Sequence, residues 1–287
     1  MGKIELFMNK FLLLLLLTLH LYAGENLKTF NVAYMTDSMS NYSKKDLEIS
    51  MNLWLKEISK KAGYDANMFF YDDPRDAVTA LEEGKIDYVS GFPLVFVKYF
   101  DLSKLSDAFS GGPDDLSDNL FVVLVSQDIK SWSELKEKRI GIQKNDDIMC
   151  MYIRLKLNDD KANIENYDRR SKVVLDLFFD KIDVAVVPLK NFLVAKELNP
   201  QIGQKIKILE KTNINATNLS FYRKDLDDAI KKEVYEEAKR IYASETGHQM
   251  MLIYKANRII YTHLEDLKPV EDLYKKYLEF KRKKNQK

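Results

Sequence analysis

The chain of 287 residues holds a single cysteine, Cys150, so no internal disulfide can form and packing alone must hold the fold. Cys150 falls in an apolar patch at 148–152, where a free thiol reads as a small core residue and not as a nucleophile. Histidine is almost as scarce. His20, His248 and His263 are the full set, which leaves little for general acid–base chemistry. His248 reads as buried in a helix or capping a turn, with a catalytic role as the open alternative. A zinc-type HExxH, paired cysteine ligands, a Gly-x-Ser-x-Gly elbow and a glycine-rich phosphate loop are all missing. The sequence therefore names no catalytic residue, no metal ligand and no cofactor. Nor is there a surplus of charge: 45 Lys and Arg stand against 44 Asp and Glu, which removes the electrostatic argument for a nucleic-acid partner. The basic run at 281–284 reads as a solvated tail. Ten glycines and six prolines, with 46% hydrophobic residues, exclude a low-complexity or disordered chain.

Long apolar runs are absent except for one, 11–19, which is too short to span a bilayer. Lys3 and Lys10 precede it and Tyr22-Ala23-Gly24 follows, so residues 1–23 read as a secretory signal peptide cleaved after Ala23. Glu5 and Leu21 leave an uncleaved anchor open. Removing two lysines and one glutamate leaves a chain of zero formal net charge.

What is present is a repeated alternation. An apolar strand over 31–35 ends in a polar loop, and Ser43 caps a helix over 44–62 that Gly63 closes. A strand over 65–71, a helix opened by Asp72-Asp73-Pro74 and stopped by Gly84, and a strand over 86–90 follow. Strand, helix, strand, helix, strand is the pattern of a parallel sheet with crossover helices. The stretch 102–118 reads as a polar surface loop. After it, strand 120–126 leads into a second copy of the plan: strand 139–143, a helix from Asp146 or Asp147, a helix from Arg170 or Ser171, and strand 182–187. The Ile-Asp step at 86–87 returns at 182–183. Strands at 206–209 and 219–222 and helices at 224–243, 247–256 and 269–280 complete the chain, with the last part expected on the first lobe. Crossings near 120–126 and 214–222 imply a two-strand hinge. The expected division is 28–122 with 218–287 as one lobe and 123–217 as the other, 287 residues being enough for two lobes.

The order of several short motifs resembles a known group. Glu83 to Asp87 before a Gly-x-Pro-Leu-x-x-Val loop at 91–97, Ser131 to Lys136 leading into Arg139-Ile140-Gly141-Ile142, Phe221 to Leu226, Gly247 to Leu252 and Pro269 to Tyr274 are together similar to the phosphate, phosphite and phosphonate solute-binding proteins of ABC importers. The resemblance covers about 30–277. It implies an α/β, two-lobed periplasmic-binding-protein fold of type II, each lobe a mostly parallel sheet flanked by helices, acting as a monomer in the periplasm. It also implies a protein that is not an enzyme, whose partners are a small ligand in the inter-lobe cleft and an ABC importer permease. A sensor accessory for a membrane receptor and a lyase on the same fold are the alternatives.

Ligands of open α/β sheets sit beyond the carboxyl ends of the strands. That rule, with the resemblance, selects Thr36, Asp37, Ser38, Ser90, Gly91, Phe92, Asn145, Asp146, Asp147, Arg170 and Ser171 as cleft residues. The loop at 91–93 can equally be a plain turn into the next helix. In the family, a Ser/Thr-rich turn at the start of the second lobe's first helix holds a phosphonate. Here that turn is Gln143-Lys144-Asn145-Asp146-Asp147, and its two carboxylates would repel one. Either they cap the helix, or they face the cleft and favour a ligand with a cationic part. Pro188 stands where the family has an acidic residue, and Arg170 or Ser171 where it has a histidine. Arg170 is either solvated or paired with an acid group of the ligand.

Overall fold

The structure is a computed structural model that describes residues 27–36, 44–61, 63–112, 119–215, 217–245, 247 and 258–286. The expected signal peptide, Asp37, Ser38, His248 and most of the expected helix at 247–256 lie outside those residues.

Two mixed sheets organise the chain. In the first, β1 (Lys28–Met35) pairs in parallel with both β2 (Tyr64–Tyr71) and β3 (Tyr88–Gly91). Helices α1 (Lys44–Lys61) and α2 (Pro74–Glu82) make the crossovers, and α3 (Pro93–Tyr99) follows β3. Three antiparallel strands extend this sheet: β4 (Leu105–Gly112), β10 (Leu219–Arg223) and β11 (Arg258–Thr262), in the order β11-β4-β10-β3-β1-β2. The second sheet has β5 (Leu120–Ser126), β6 (Ile140–Gln143), β7 (Ile164–Tyr167), β8 (Val184–Pro188) and β9 (Ile206–Asn215), in the order β7-β6-β8-β5-β9. Its parallel half is β7, β6 and β8; β5 runs antiparallel to β8, and β9, antiparallel to β5, returns to the direction of the parallel half. Helices α4 (Asp147–Leu157), α5 (Arg170–Phe178), α6 (Leu189–Leu198) and α7 (Pro200–Lys205) belong to this half, and α8 (Asp228–Ala243) and α9 (Lys268–Asn285) come last.

The polar stretch expected as a surface loop contains β4. Its small residues are there for space: a Cβ on Gly112 would lie 1.8 Å from Ile260 Cδ1, and the Ser110 hydroxyl donates to Ser220 Oγ at 2.9 Å in the buried layer. Composition hid a strand whose inward positions must be small. β7, α6 and α7 had also given no legible signal. β7 buries only Tyr167 fully and α6 only Phe192, so neither carries a clear apolar period.

The recurring Ile-Asp step has a physical cause. Asp87 Oδ2 accepts the Asn31 N–H at 2.9 Å and Oδ1 accepts from Arg223 Nη2 at 3.1 Å. In the second lobe, Asp183 Oδ2 accepts the Arg139 N–H at 2.9 Å and Arg139 Nε at 3.1 Å. Each aspartate thus ties the neighbouring parallel strand to an arginine at the amino ends of the strands, far from the ligand end. The corner before it is also shared. Gly84 (φ 71°) and Asp180 (φ 58°) both take the left-handed conformation, and the next N–H returns to the helix, Lys85 to the Ala80 carbonyl and Lys181 to the Asp176 carbonyl.

The chain passes between the sheets from β4 to β5 and from β9 to β10, so 120–126 lies wholly in the second sheet. The Asn119 side-chain amide donates to Thr217 Oγ1 at 2.8 Å, which ties the two passages together. The last helix departs from the expected packing. Leu267 is in a core of the first lobe, but Val270 and Leu273 of α9 bury in a core of the second with Met149 and Ile153, and Leu94 and Val97 of α3 pack on the same cluster. Lys281 pairs with Asp160 at 2.9 Å and holds the far end of α9 to the second lobe. An amphipathic helix follows its apolar stripe, and this stripe fits the groove beside α4.

Candidate functional site

A cavity of about 220 Å³ lies where the carboxyl ends of both parallel half-sheets face one another. The first lobe contributes Asp72 and Pro74 after β2 and the segment from Phe92 to Tyr99 at the head of α3. The second contributes Phe121, the turn from Asn145 to Ile148, Arg170 and Asn215. A space of this size suits a small ligand.

The turn between β6 and α4 is shaped by Asn145, which takes φ 71°, a conformation that asparagine tolerates better than most residues. The Asp146 N–H then donates to the Gln143 carbonyl at 3.1 Å. Asp146 occupies the N-cap position of α4, yet its side chain makes no cap hydrogen bond. It accepts instead from Arg170 Nη2, at 3.0 Å to Oδ1 and 3.4 Å to Oδ2. The reading of Asp146 as a helix cap is therefore corrected: its carboxylate reaches sideways into the cavity wall because the arginine at the first position of α5 offers a full charge. Asp147 is the first residue of α4 and is exposed. The first N–H groups of α4 have no intrahelical carbonyl to serve them.

The pair is largely sealed from water, with the Asp146 side chain 11% and the Arg170 side chain 22% exposed. Burial pushes the Asp146 carboxyl above the ordinary carboxylate range, and Asp147 adds to the rise, while the charge and hydrogen bond of Arg170 oppose it. The Arg170 guanidinium carbon lies 5.7 Å from the centroid of the Phe121 ring, so an aromatic face holds the cation in place. Arg170 Nε is buried without a partner. On the opposite wall, Asp73 caps α2 through the Arg75 N–H at 2.9 Å, which leaves Asp72 to face the cleft, where its carboxylate accepts from the Thr36 hydroxyl. Lys98 lies 5.3 Å from the Tyr99 ring centroid at the same wall.

Of the residues selected from the sequence, Phe92, Asn145, Asp146, Asp147 and Arg170 line this cavity. Thr36 lies one step behind it, bonded to Asp72 and, at 3.2 Å, to the Tyr71 carbonyl. Ser90 and Gly91 are buried at the end of β3 and are outside the lining; a Cβ on Gly91 would come within 2.7 Å of Met35 Cγ, so that glycine serves packing. Ser171 is exposed on the first turn of α5, also outside the lining. Asp37 and Ser38 lie outside the described residues. Sequence reasoning missed Asp72, Lys98, Tyr99, Phe121 and Asn215. Asp72 alone had a usable signal, since it follows the second parallel strand as Thr36 and Phe92 follow the first and third. Cys150 is no part of the site. It packs against a core of the second lobe, and burial pushes its thiol up to about 11.

A sequence profile described as "ABC transporter, phosphonate, periplasmic substrate-binding protein" matches residues 38–267. The chain belongs to this family. Its members are periplasmic substrate-binding proteins of transport systems and not enzymes. No curated protein matches the sequence. Among solved structures, the chain is similar to a binding-protein component of an ABC phosphonate transporter from Pseudomonas aeruginosa, with 15% identity, 89% of this chain and 88% of that one covered, and a TM-score of 0.58. It is similar to PhnD1 from Prochlorococcus marinus in complex with methylphosphonate, with 16% identity, 88% and 98% covered, and a TM-score of 0.58. A protein from Xanthomonas citri bound to chloride gives 12% identity, 88% and 99% covered, and a TM-score of 0.62. At these identities the likeness carries the two-lobed fold alone.

Proposed function

We propose that this chain is the extracytoplasmic receptor of an ABC importer, closing its lobes over a small polar ligand and delivering it to the permease, without chemistry on the ligand. The observation that carries this reading is the cavity itself, to which both lobes bring charged and aromatic side chains at the carboxyl ends of their strands. The two strand connections between the sheets and the step from Leu267 into α9 are the chain's passages between the lobes, and a ligand favours the closed form to the extent that it contacts both walls. The test is a thermal-shift screen of the purified protein against phosphonates, phosphate, sulfonates, amino acids, amines and nucleobase-like compounds. A ligand at 100 times its dissociation constant adds about 2.7 kcal/mol to stability. One chemical class should raise the melting temperature and emerge unaltered. Turnover of a panel compound, or no shift with any of them, contradicts the proposal.

A further inference from the structure

The Asp146–Arg170 pair has features of a site awaiting two opposite charges. Arg170 uses one nitrogen, Nη2, on both oxygens of Asp146, although a guanidinium presents two adjacent N–H groups that a carboxylate can take side by side. Its Nε, on that same edge, is buried with no partner, and a buried unpaired donor is costly. Asp146 is likewise short of compensation: burial lifts its carboxyl out of the usual range in spite of the arginine. A ligand carboxylate on the Nε/Nη2 edge of Arg170 would satisfy the orphaned donor and release Asp146. An ammonium group beside Asp146, with Asp147 and Asp72 on the same cavity, would then compensate the released carboxylate. The aromatic walls Phe92, Tyr99 and Phe121 leave the space between the two ends apolar.

Charge count decides the anion. A phosphoryl-type group carries about −1.5 to −2 at pH 7, whereas a carboxylate carries one negative charge. The cavity sets three carboxylates, Asp72, Asp146 and Asp147, against two cations, Arg170 and Lys98. One arginine edge matches one carboxylate; a doubly charged group would be left facing the three aspartates. We propose that the ligand of this cleft is a small carboxylate-bearing amine, and that Arg170 and Asp146 exchange their mutual ion pair for the two ends of that ligand. The inference rests on the reading of the chain as a cleft-binding receptor.

Matched pairs test it. Glycine against aminomethylphosphonate, and β-alanine against 2-aminoethylphosphonate, differ only in the acid group; methylphosphonate lacks the amine. Calorimetric titration of the full chain should show at least one carboxylate amine binding tenfold or more tightly than its phosphonate counterpart. Asp147→Asn, at an exposed position, and Arg170→Gln should each weaken that binding tenfold or more. The arginine variant should lose preference between carboxylate amine and simple amine, a readout that misfolding would not give. Tighter binding of either aminophosphonate or of methylphosphonate overturns the proposal. Binding of a different class in the thermal screen, with neither matched series bound, also overturns it but keeps the cleft-receptor reading. Binding of nothing in either experiment removes both.

Discussion

Replacing Arg170 by glutamine should expose how much the cavity wall depends on one ion pair. The substitution keeps a hydrogen-bond donor but removes the charge that Asp146 receives at 3.0 Å. Losing one partner of a fully buried pair costs about 3–5 kcal/mol. Here the side chains are 11% and 22% exposed, so water screens part of the penalty, and we expect about 2–3 kcal/mol at pH 7. At about 2–4 °C per kcal/mol for a chain of this size, the melting temperature should fall by about 4–12 °C. The sign with pH follows from the direction of the shift. The Asp146 carboxyl is already raised by burial, and removal of the arginine raises it further. A carboxyl raised on folding stabilises the protein when protonated and loses that contribution as pH rises through its folded value. The deficit of Arg170→Gln should therefore be largest near neutrality and shrink as pH falls toward the carboxylate range. Urea unfolding of both proteins at pH 7 and at pH 5 measures it. A deficit below about 0.5 kcal/mol, the range of ordinary surface substitutions, or one that grows in acid, would refute the reasoning.

Further expectations concern the frame that holds the site. Asp87→Asn and Asp183→Asn should each cost about 1.5–3 kcal/mol, because each carboxylate serves a strand N–H and an arginine, and the two losses should add, since they fall in different sheets; urea midpoints of the single and double variants check this. Leu273→Ala should cost about 2–5 kcal/mol, the range for a buried leucine, and thermal melting would show whether α9 is part of the second lobe's core. Protonated His263 donates from Nδ1 to Asp107 Oδ2 at 2.8 Å, and that hydrogen bond raises the imidazole above its ordinary 6.5. The stability it adds should be present below the ordinary value and fade as pH rises through the folded one, and proton NMR should place the midpoint above 6.5 in the wild type and lower in Asp107→Asn.

The legible parts of the fold were those with an apolar period and a stop. α2, with Pro74 at its start and Gly84 past its end, and the valine-rich β8 were readable because burial on one face or on two leaves a pattern in the residues. β4 was not, since its inward positions are small to admit Ile260 and Ser220, and smallness reads as polarity. The packing of α9 on the second lobe was also hidden. Its stripe announces that it buries a face, and only the assembled cores show against which lobe. In the site, the order of the strands together with the family resemblance selected the Asn145–Asp147 turn and Arg170. It did not select Phe121, at the amino end of the antiparallel β5, or Asn215, the last residue of β9, whose apolar signal in the sequence stops at 209. Asp72 was concealed by Asp73: two acids before a proline read as one helix cap, and only one of them is.

The central claim is that the two lobes close over what lies between Asp72 and Asp146, and the distance between lobes tests it most directly. Spin labels at Glu83→Cys and Lys136→Cys, two exposed positions one on each lobe, in a Cys150→Ser background, report that distance by electron–electron resonance. Addition of the panel compound that raises the melting temperature most should shift the distribution to a single shorter distance, and Arg170→Gln should abolish the shift. A distribution that is unchanged at saturating ligand would contradict the account.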